Sequence, residues 1–126
     1  MGYRSNVTAI FYCHNQDDYA PMKLFIDENL ASDDDWIKGC ISEEEGSKKY
    51  IKFYAEDVKW YESYTSVIQF NEFIEAFKEL ADGDGSKLTW AYEFVRFGEE
   101  LNDTEFAESD GADNVLHVYR GVDINI

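Results

Sequence analysis

The chain is short of cysteine, proline and positive charge, and each shortage excludes something. Cys13 and Cys40 are its only cysteines, too few for a disulfide-stapled scaffold and in keeping with free thiols in a reducing compartment. A single proline, Pro21, leaves no Pro-rich linker, and no internal repeat divides the chain. No apolar run approaches the roughly 18 residues that cross a bilayer, and Met1-Gly2-Tyr3-Arg4-Ser5 has no hydrophobic signal core, so no membrane attachment is expected. Bases are scarce: 11 Lys and Arg face 27 Asp and Glu, a formal charge of −16 over 126 residues. That balance repels phosphates and argues against direct nucleic-acid binding. Apolar material is not lacking. With 44% hydrophobic and 17% aromatic residues, the composition supports one ordinary core and argues against a disordered acidic tail. The expectation is one α+β domain over 1–126.

Periodicity supplies the elements. Val7, Ala9, Phe11 and Cys13 alternate with Thr8, Ile10 and Tyr12, the pattern of a central strand with apolar character on both faces. Asp17 and Asp18 before Pro21 predict a helix start, with carboxylates accepting free amide hydrogens. Met22, Phe25, Ile26 and Leu30 then fall on one helical face. Ala31 to Ser47, with Asp33-Asp34-Asp35 and Glu43-Glu44-Glu45, predicts no more than one docked helical turn. Lys48 to Tyr61 is rich in β-branched and aromatic residues and reads as a strand with a bulge or turn at Glu56-Asp57. Between Ser66 and Gly83, Val67, Phe70, Phe73, Ile74, Phe77, Leu80 and Ala81 repeat every three to four residues, an amphipathic helix in which Ser66 and Gln69 have capping-box spacing. Leu88 to Gly98 predicts a further strand, Glu99 to Asp113 a long acidic loop, and Asn114 to Arg120 a last strand that Val122, Ile124 and Ile126 extend. The sum is a two-layer α+β sandwich: a mainly antiparallel, four-stranded sheet with two helices on one face, partly ferredoxin-like. Aromatic residues on both sides of several strands leave the other face to be covered, and a homodimer is one way to cover it.

Catalytic and metal chemistry have little to build on. Asp82-Gly83-Asp84-Gly85-Ser86 invites comparison with a calcium loop. Counting from Asp82 puts Lys87 where the glycine belongs, and counting from Leu80 loses the first and last carboxylates. It reads instead as a helix-ending turn. Cys13, His14, Cys40 and His117 are the only soft or imidazole ligands, and the neighbours Cys13 and His14 point to opposite faces of a strand. No metal, cofactor or catalytic residue is therefore assigned, and an enzyme is the less favoured class. No phosphate-cradling glycine motif or serine elbow is present.

What remains is the acidity, which is concentrated late: residues 1 to 63 carry 13 acids and 7 bases, residues 64 to 126 carry 14 acids and 4 bases. Glu99, Glu100, Asp103, Glu105, Glu108, Asp110 and Asp113 form the densest stretch and are the candidate partner-binding residues. Carboxylates two apart on a strand lie about 6.6 to 6.8 Å from one another, close to the phosphate spacing along one DNA strand. Such a surface suits a basic nucleic-acid groove on another protein, as a mimic of DNA; the plainer reading is a solvated face that only maintains solubility.

Three stretches carry a resemblance: Met1-Gly2-Tyr3-Arg4-Ser5-Asn6-Val7, Asp57-Val58-Lys59-Trp60-Tyr61-Glu62-Ser63-Tyr64, and Phe94-Val95-Arg96-Phe97-Gly98-Glu99 followed by Asp103 and Glu105. Together they resemble a group of small proteins encoded by tailed bacteriophages and prophages. Asn6 stands where Asp is expected in that group, and Phe97 where Ile is common. The resemblance implies a phage accessory protein acting in the host bacterial cytoplasm and brings no catalytic set with it; taken with the charge excess, it leads to the expectation of a host protein as the partner. Within these stretches Tyr3, Arg4, Lys59, Trp60, Tyr61 and Arg96 combine planar aromatic surface with cations. They are expected to stack as a structural cluster, with Glu62 and Glu99 as ionic partners, or to line a ligand pocket. That pocket is the alternative function, a small-ligand-binding protein or enzyme; a structural or assembly role is a third.

Overall fold

The computed structural model describes residues 3–30, 39–61, 63–82, 89–100, 103–109, 112, 116–118 and 122–124, with the backbone alone at 116–118, 122 and 123. Five strands, β1 (Ser5–Cys13), β2 (Ile41–Glu45), β3 (Lys49–Val58), β4 (Trp90–Gly98) and β5 (Thr104–Glu108), form one sheet in the order β2-β3-β1-β4-β5. Every neighbouring pair is antiparallel. Helix α1 (Tyr19–Asn29) follows β1, and helix α2 (Thr65–Asp82) lies between β3 and β4. The class is α+β, but the sheet has five strands where four were expected. Two acid-rich segments add strands, and the expected last strand is not part of this sheet. Ile41–Glu45 is a strand; the helical turn expected before it falls largely on 31–38, outside the described residues, with Gly39 helical. The supposed acidic loop contains β5. Both are edge strands, where carboxylates remain solvated and only one side of the backbone must pair, so low strand propensity costs little.

β1 sits at the centre because both of its side-chain rows are apolar. Val7, Ala9, Phe11 and Cys13 join a core to which α1 contributes Met22, Ile26 and Leu30 and α2 contributes Val67, Phe70, Phe73, Ile74 and Phe77. Both helices thus cover the same face. Rings dominate this layer: Phe77 lies 5.1 Å from Phe11 and 5.4 Å from Trp90 between centroids, and Phe70 lies 4.8 Å from Phe53. On the opposite face Ile10, Tyr12, Tyr50 and Ala91 form a second buried cluster, and Ile124 packs against it. Ile124 belongs to a two-stranded hairpin of β6 (Leu116–Val118) and β7 (Val122–Ile124). The last segment is thus two short strands outside the main sheet, not one extended strand, and the chain itself supplies cover for the face left open above. Here the Tyr12 hydroxyl donates to the buried Glu93 carboxylate at 2.6 Å.

Local details follow the chemistry, not always at the expected residue. The bulge lies at Glu56-Asp57, two residues facing Asn6 alone: Asp57 takes φ 56°, and the Asn6 side chain accepts from its amide at 2.8 Å. The turn before α1 is capped by Asn15, which accepts from the Asp17 amide at 3.0 Å. Asp18 instead accepts from the Thr89 amide and hydroxyl, tying the start of α1 to β4. α2 begins one residue early, the Tyr64 carbonyl accepting from the Ile68 amide at 2.9 Å, which puts Ser66 inside the helix. The Gln69 side-chain oxygen is buried without a hydrogen-bond partner, so the anticipated capping box does not form. Gly83 to Leu88, with the calcium-like turn, lies outside the described residues.

Candidate functional site

Arg96 is where β4, β5 and the N-terminal segment meet. It stands opposite Glu105 in the β4–β5 pairing, and its side chain is only 10% exposed. All its guanidinium nitrogens are engaged. Nε and Nη2 donate to Glu105 Oε1 at 3.1 and 2.6 Å, Nη2 and Nη1 donate to the two Asp103 oxygens at 2.7 and 3.2 Å, and Nη1 donates to Ser5 Oγ at 2.9 Å. A guanidinium has five N–H donors, so none is left for a ligand anion. Burial pulls the Arg96 pKa down, and hydrogen bonds to Asp103 and Glu105 more than offset that, leaving it raised.

Asp103 ties in the chain start. The Tyr3 hydroxyl donates to Asp103 Oδ2 at 2.6 Å and accepts from the Glu100 amide at 3.1 Å, while the Tyr3 amide donates to the Tyr61 hydroxyl at 2.7 Å. The hydrogen bond from Arg96, with that from Tyr3, holds the Asp103 carboxyl below its usual range; the same Asp103 contact raises the Tyr3 phenol. Gly98 makes this closeness possible, since a Cβ there would collide with the Asp103 carboxylate and the Tyr3 hydroxyl.

Beside this latch lies an open cavity of about 660 Å³ between α2, the segment before it and the β4–β5 edge. Tyr3, Trp60, Tyr61, Tyr92 and Phe94 give it aromatic walls. Asp103 and Glu105 enter from the edge and Glu75 from the helix, so three carboxylates and one guanidinium line it. Burial pushes the Tyr92 phenol upward, and the negative charge of Glu75 adds to the shift.

The six residues of the expected aromatic-cation cluster separate into two groups. Tyr3, Trp60, Tyr61 and Arg96 line the cavity, whereas Arg4 and Lys59 line a different, smaller cleft. Trp60 packs among Phe53, Phe70 and Phe94. Cations meet rings elsewhere, with Lys48 5.6 Å from the Tyr12 centroid and Lys52 5.3 Å from that of Tyr54. Glu99 binds the Arg4 backbone amide at 2.8 Å, the Arg4 side chain donates to the Asp57 carbonyl, and Glu62 lies outside the described residues.

The seven acids of the candidate partner-binding stretch also divide. Asp103 and Glu105 neutralise Arg96, Glu99 and Glu100 are exposed at the turn, and Glu108 stands opposite Glu93, whose side chain meets Tyr12 on the far face. Asp110 and Asp113 lie outside the described residues. Glu75, Tyr92 and Phe94 were not singled out from sequence. The alternation of Tyr92, Phe94 and Arg96 along β4 was the available sign that all three share one face.

Nucleophilic chemistry finds no support in the thiols. Burial pushes Cys13 up to about 12, its Sγ contacts Met22 Sδ at 3.5 Å, and burial raises Cys40 as well; thiolates, not thiols, attack. Among the described residues no group of three His, Cys, Asp or Glu is arranged to hold a metal ion, and no helix is long and apolar enough to cross a membrane. Comparison with known proteins found no matching family model, no similar curated protein and no similar solved structure.

Proposed function

We propose that the protein is a binding module, not a catalyst: a phage accessory protein of the host bacterial cytoplasm that presents carboxylates to a basic, nucleic-acid-binding surface of a host protein. One observation carries the reading. Exposed carboxylates from two distant parts of the chain, Glu75 on α2 and Glu105 on β5, border the same opening, with Glu99 and Glu100 exposed at the adjoining turn. An excess of one sign across a surface steers an oppositely charged partner at rates that fall with salt. Capture from a bacterial lysate at low and high salt, followed by competition with duplex DNA, tests it. The expected outcome is a specific basic partner released by salt and by DNA, and recovered less well with Glu75, Glu99 and Glu100 all changed to Gln. No specific partner at either salt overturns the proposal.

The cavity beside Trp60 and Arg96 favours a second reading, a protein that takes a small ligand there. The scaffold we propose for either is ferredoxin-like with an added edge strand: α1 and α2 each bridge strands that flank another strand, giving the interleaved order β2-β3-β1-β4 of two split β-α-β units.

A further inference from the structure

We propose that the cavity between α2 and the β4–β5 edge binds an organic cation, a guanidinium or ammonium group carried on a short apolar stem. The inference rests on the ligand-binding reading of that cavity and adds the chemistry of what enters it.

Three features select the class. The walls are aromatic, from Tyr3, Trp60, Tyr61, Tyr92 and Phe94, and the negative faces of such rings attract cations while accepting an apolar stem. The cation already present cannot serve an anion, because Arg96 spends its N–H groups on Asp103, Glu105 and Ser5. Negative charge is left over. Glu75 has no hydrogen-bond or ion-pair partner among the described residues, and Glu105 commits only Oε1 to Arg96. An anion would meet three carboxylates and no free donor from Arg96. A neutral apolar ligand would leave Glu75 beside it without a counter-charge. A bare metal ion would need converging carboxylates, and two of the three are held in place on Arg96. A cation with an apolar stem is the occupant that uses both the rings and the surplus charge.

The site takes the same chemistry from a free small molecule or from an arginine or lysine side chain on a partner protein. The test titrates the full chain, followed by NMR at the amides of Ser63, Asn71, Glu75 and Glu105. The probes are butylguanidinium and its neutral isostere butylurea, butylammonium, and a capped Gly-Arg-Gly peptide with its citrulline counterpart. We expect butylguanidinium to bind at least tenfold more tightly than butylurea, with shifts centred on the cavity. Glu75→Gln should weaken it at least fivefold, while Glu45→Gln, which removes an equal charge from β2 at the opposite edge of the sheet, should leave it nearly unchanged. Preference for the arginine peptide over free butylguanidinium assigns the site to a partner's side chain, and the reverse preference to a small molecule. Equal binding of butylurea overturns the cation assignment and leaves the ligand reading standing. Equal weakening by Glu75→Gln and Glu45→Gln shows only the general field of an acidic protein and also overturns it. No binding by any probe, with the fold intact by NMR, overturns both.

Discussion

Two regions of the molecule are held together by different physics. Under the helices, rings and aliphatic chains on Phe11, Phe53, Phe70, Phe73 and Phe77 are packed out of water, and the stabilisation is non-directional and grows with area. At the β4–β5 end, Arg96, Asp103, Glu105 and Tyr3 are joined by short directional bonds that need each partner in place. The first region tolerates exchange of one apolar shape for another but not loss of volume. The second tolerates loss of volume but not loss of a donor. Both border the cavity: the first supplies Trp60, Ile74 and Tyr92, and the second Tyr3, Arg96, Asp103 and Glu105, so its walls join non-directional packing to directional bonding.

The comparison breaks most visibly at Phe77. It is fully buried and touches Phe11, Phe25, Phe73, Trp90 and Tyr92, so Phe77→Ala should cost about 3 to 5 kcal/mol, read as a lower midpoint in urea unfolding. Arg96→Met keeps much of the volume and removes every hydrogen bond that the guanidinium donates, leaving those of Tyr3. Because Glu105 is 53% exposed and Asp103 31%, water recovers part of the loss, and a cost of about 1 to 3 kcal/mol is expected by the same measurement. Arg96→Lys should fall between wild type and Arg96→Met, since an ammonium cannot reproduce the planar fork.

The latch should also respond to pH, in acid as well as alkali, whereas the core, with Cys13 and Tyr92 raised by burial, should respond only in alkali. The Asp103 carboxyl is depressed in the folded protein by Arg96 and then by Tyr3. Its contribution is therefore whole above the ordinary aspartate value and is lost as pH falls through that value and then through the lower folded one. Tyr3, raised by its bond to Asp103, runs the other way: its contribution is whole below the ordinary tyrosine value and is lost as pH climbs past it. Stability followed against pH should show Asp103→Asn flattening the acid limb. Tyr3→Phe should make the alkaline limb shallower, the part owed to buried Cys13 and Tyr92 remaining, and keep the larger, Arg96-dependent part of the acid one. Smallest of all, Phe106→Ser on the outer edge strand, where the ring is 66% exposed, should move stability by no more than about 0.5 kcal/mol. A large loss there would mean that β5 is covered by contacts not shared with either region.

Legibility in the sequence followed the range of the information. The apolar stripe of α2, the two-sided alternation of β1 and the bulge at Glu56-Asp57 were all readable, because each is written within a few residues. β2 and β5 were not, because an edge strand owes its form to the neighbour it pairs with and not to its own propensity. Half of the candidate site was readable in the same sense. Tyr3, Trp60, Tyr61 and Arg96 were named from their chemistry, while Arg4 and Lys59, adjacent to them in sequence, went to another cleft. Glu75 escaped notice because on a helix it looks like any other solvated acid.

By itself the sequence determined an acidic chain with enough apolar surface for a core and the periods that sort its residues inward or outward, since charge count and periodicity need no partner. Only the tertiary structure decided which carboxylates are already spent. Asp103 and Glu105 share the one positive charge of Arg96 because the β4–β5 pairing sets Glu105 opposite it and brings Asp103 within reach, and Glu75 is left without a partner among the described residues because α2 packs across the same sheet; both are consequences of long-range pairing that no local pattern encodes.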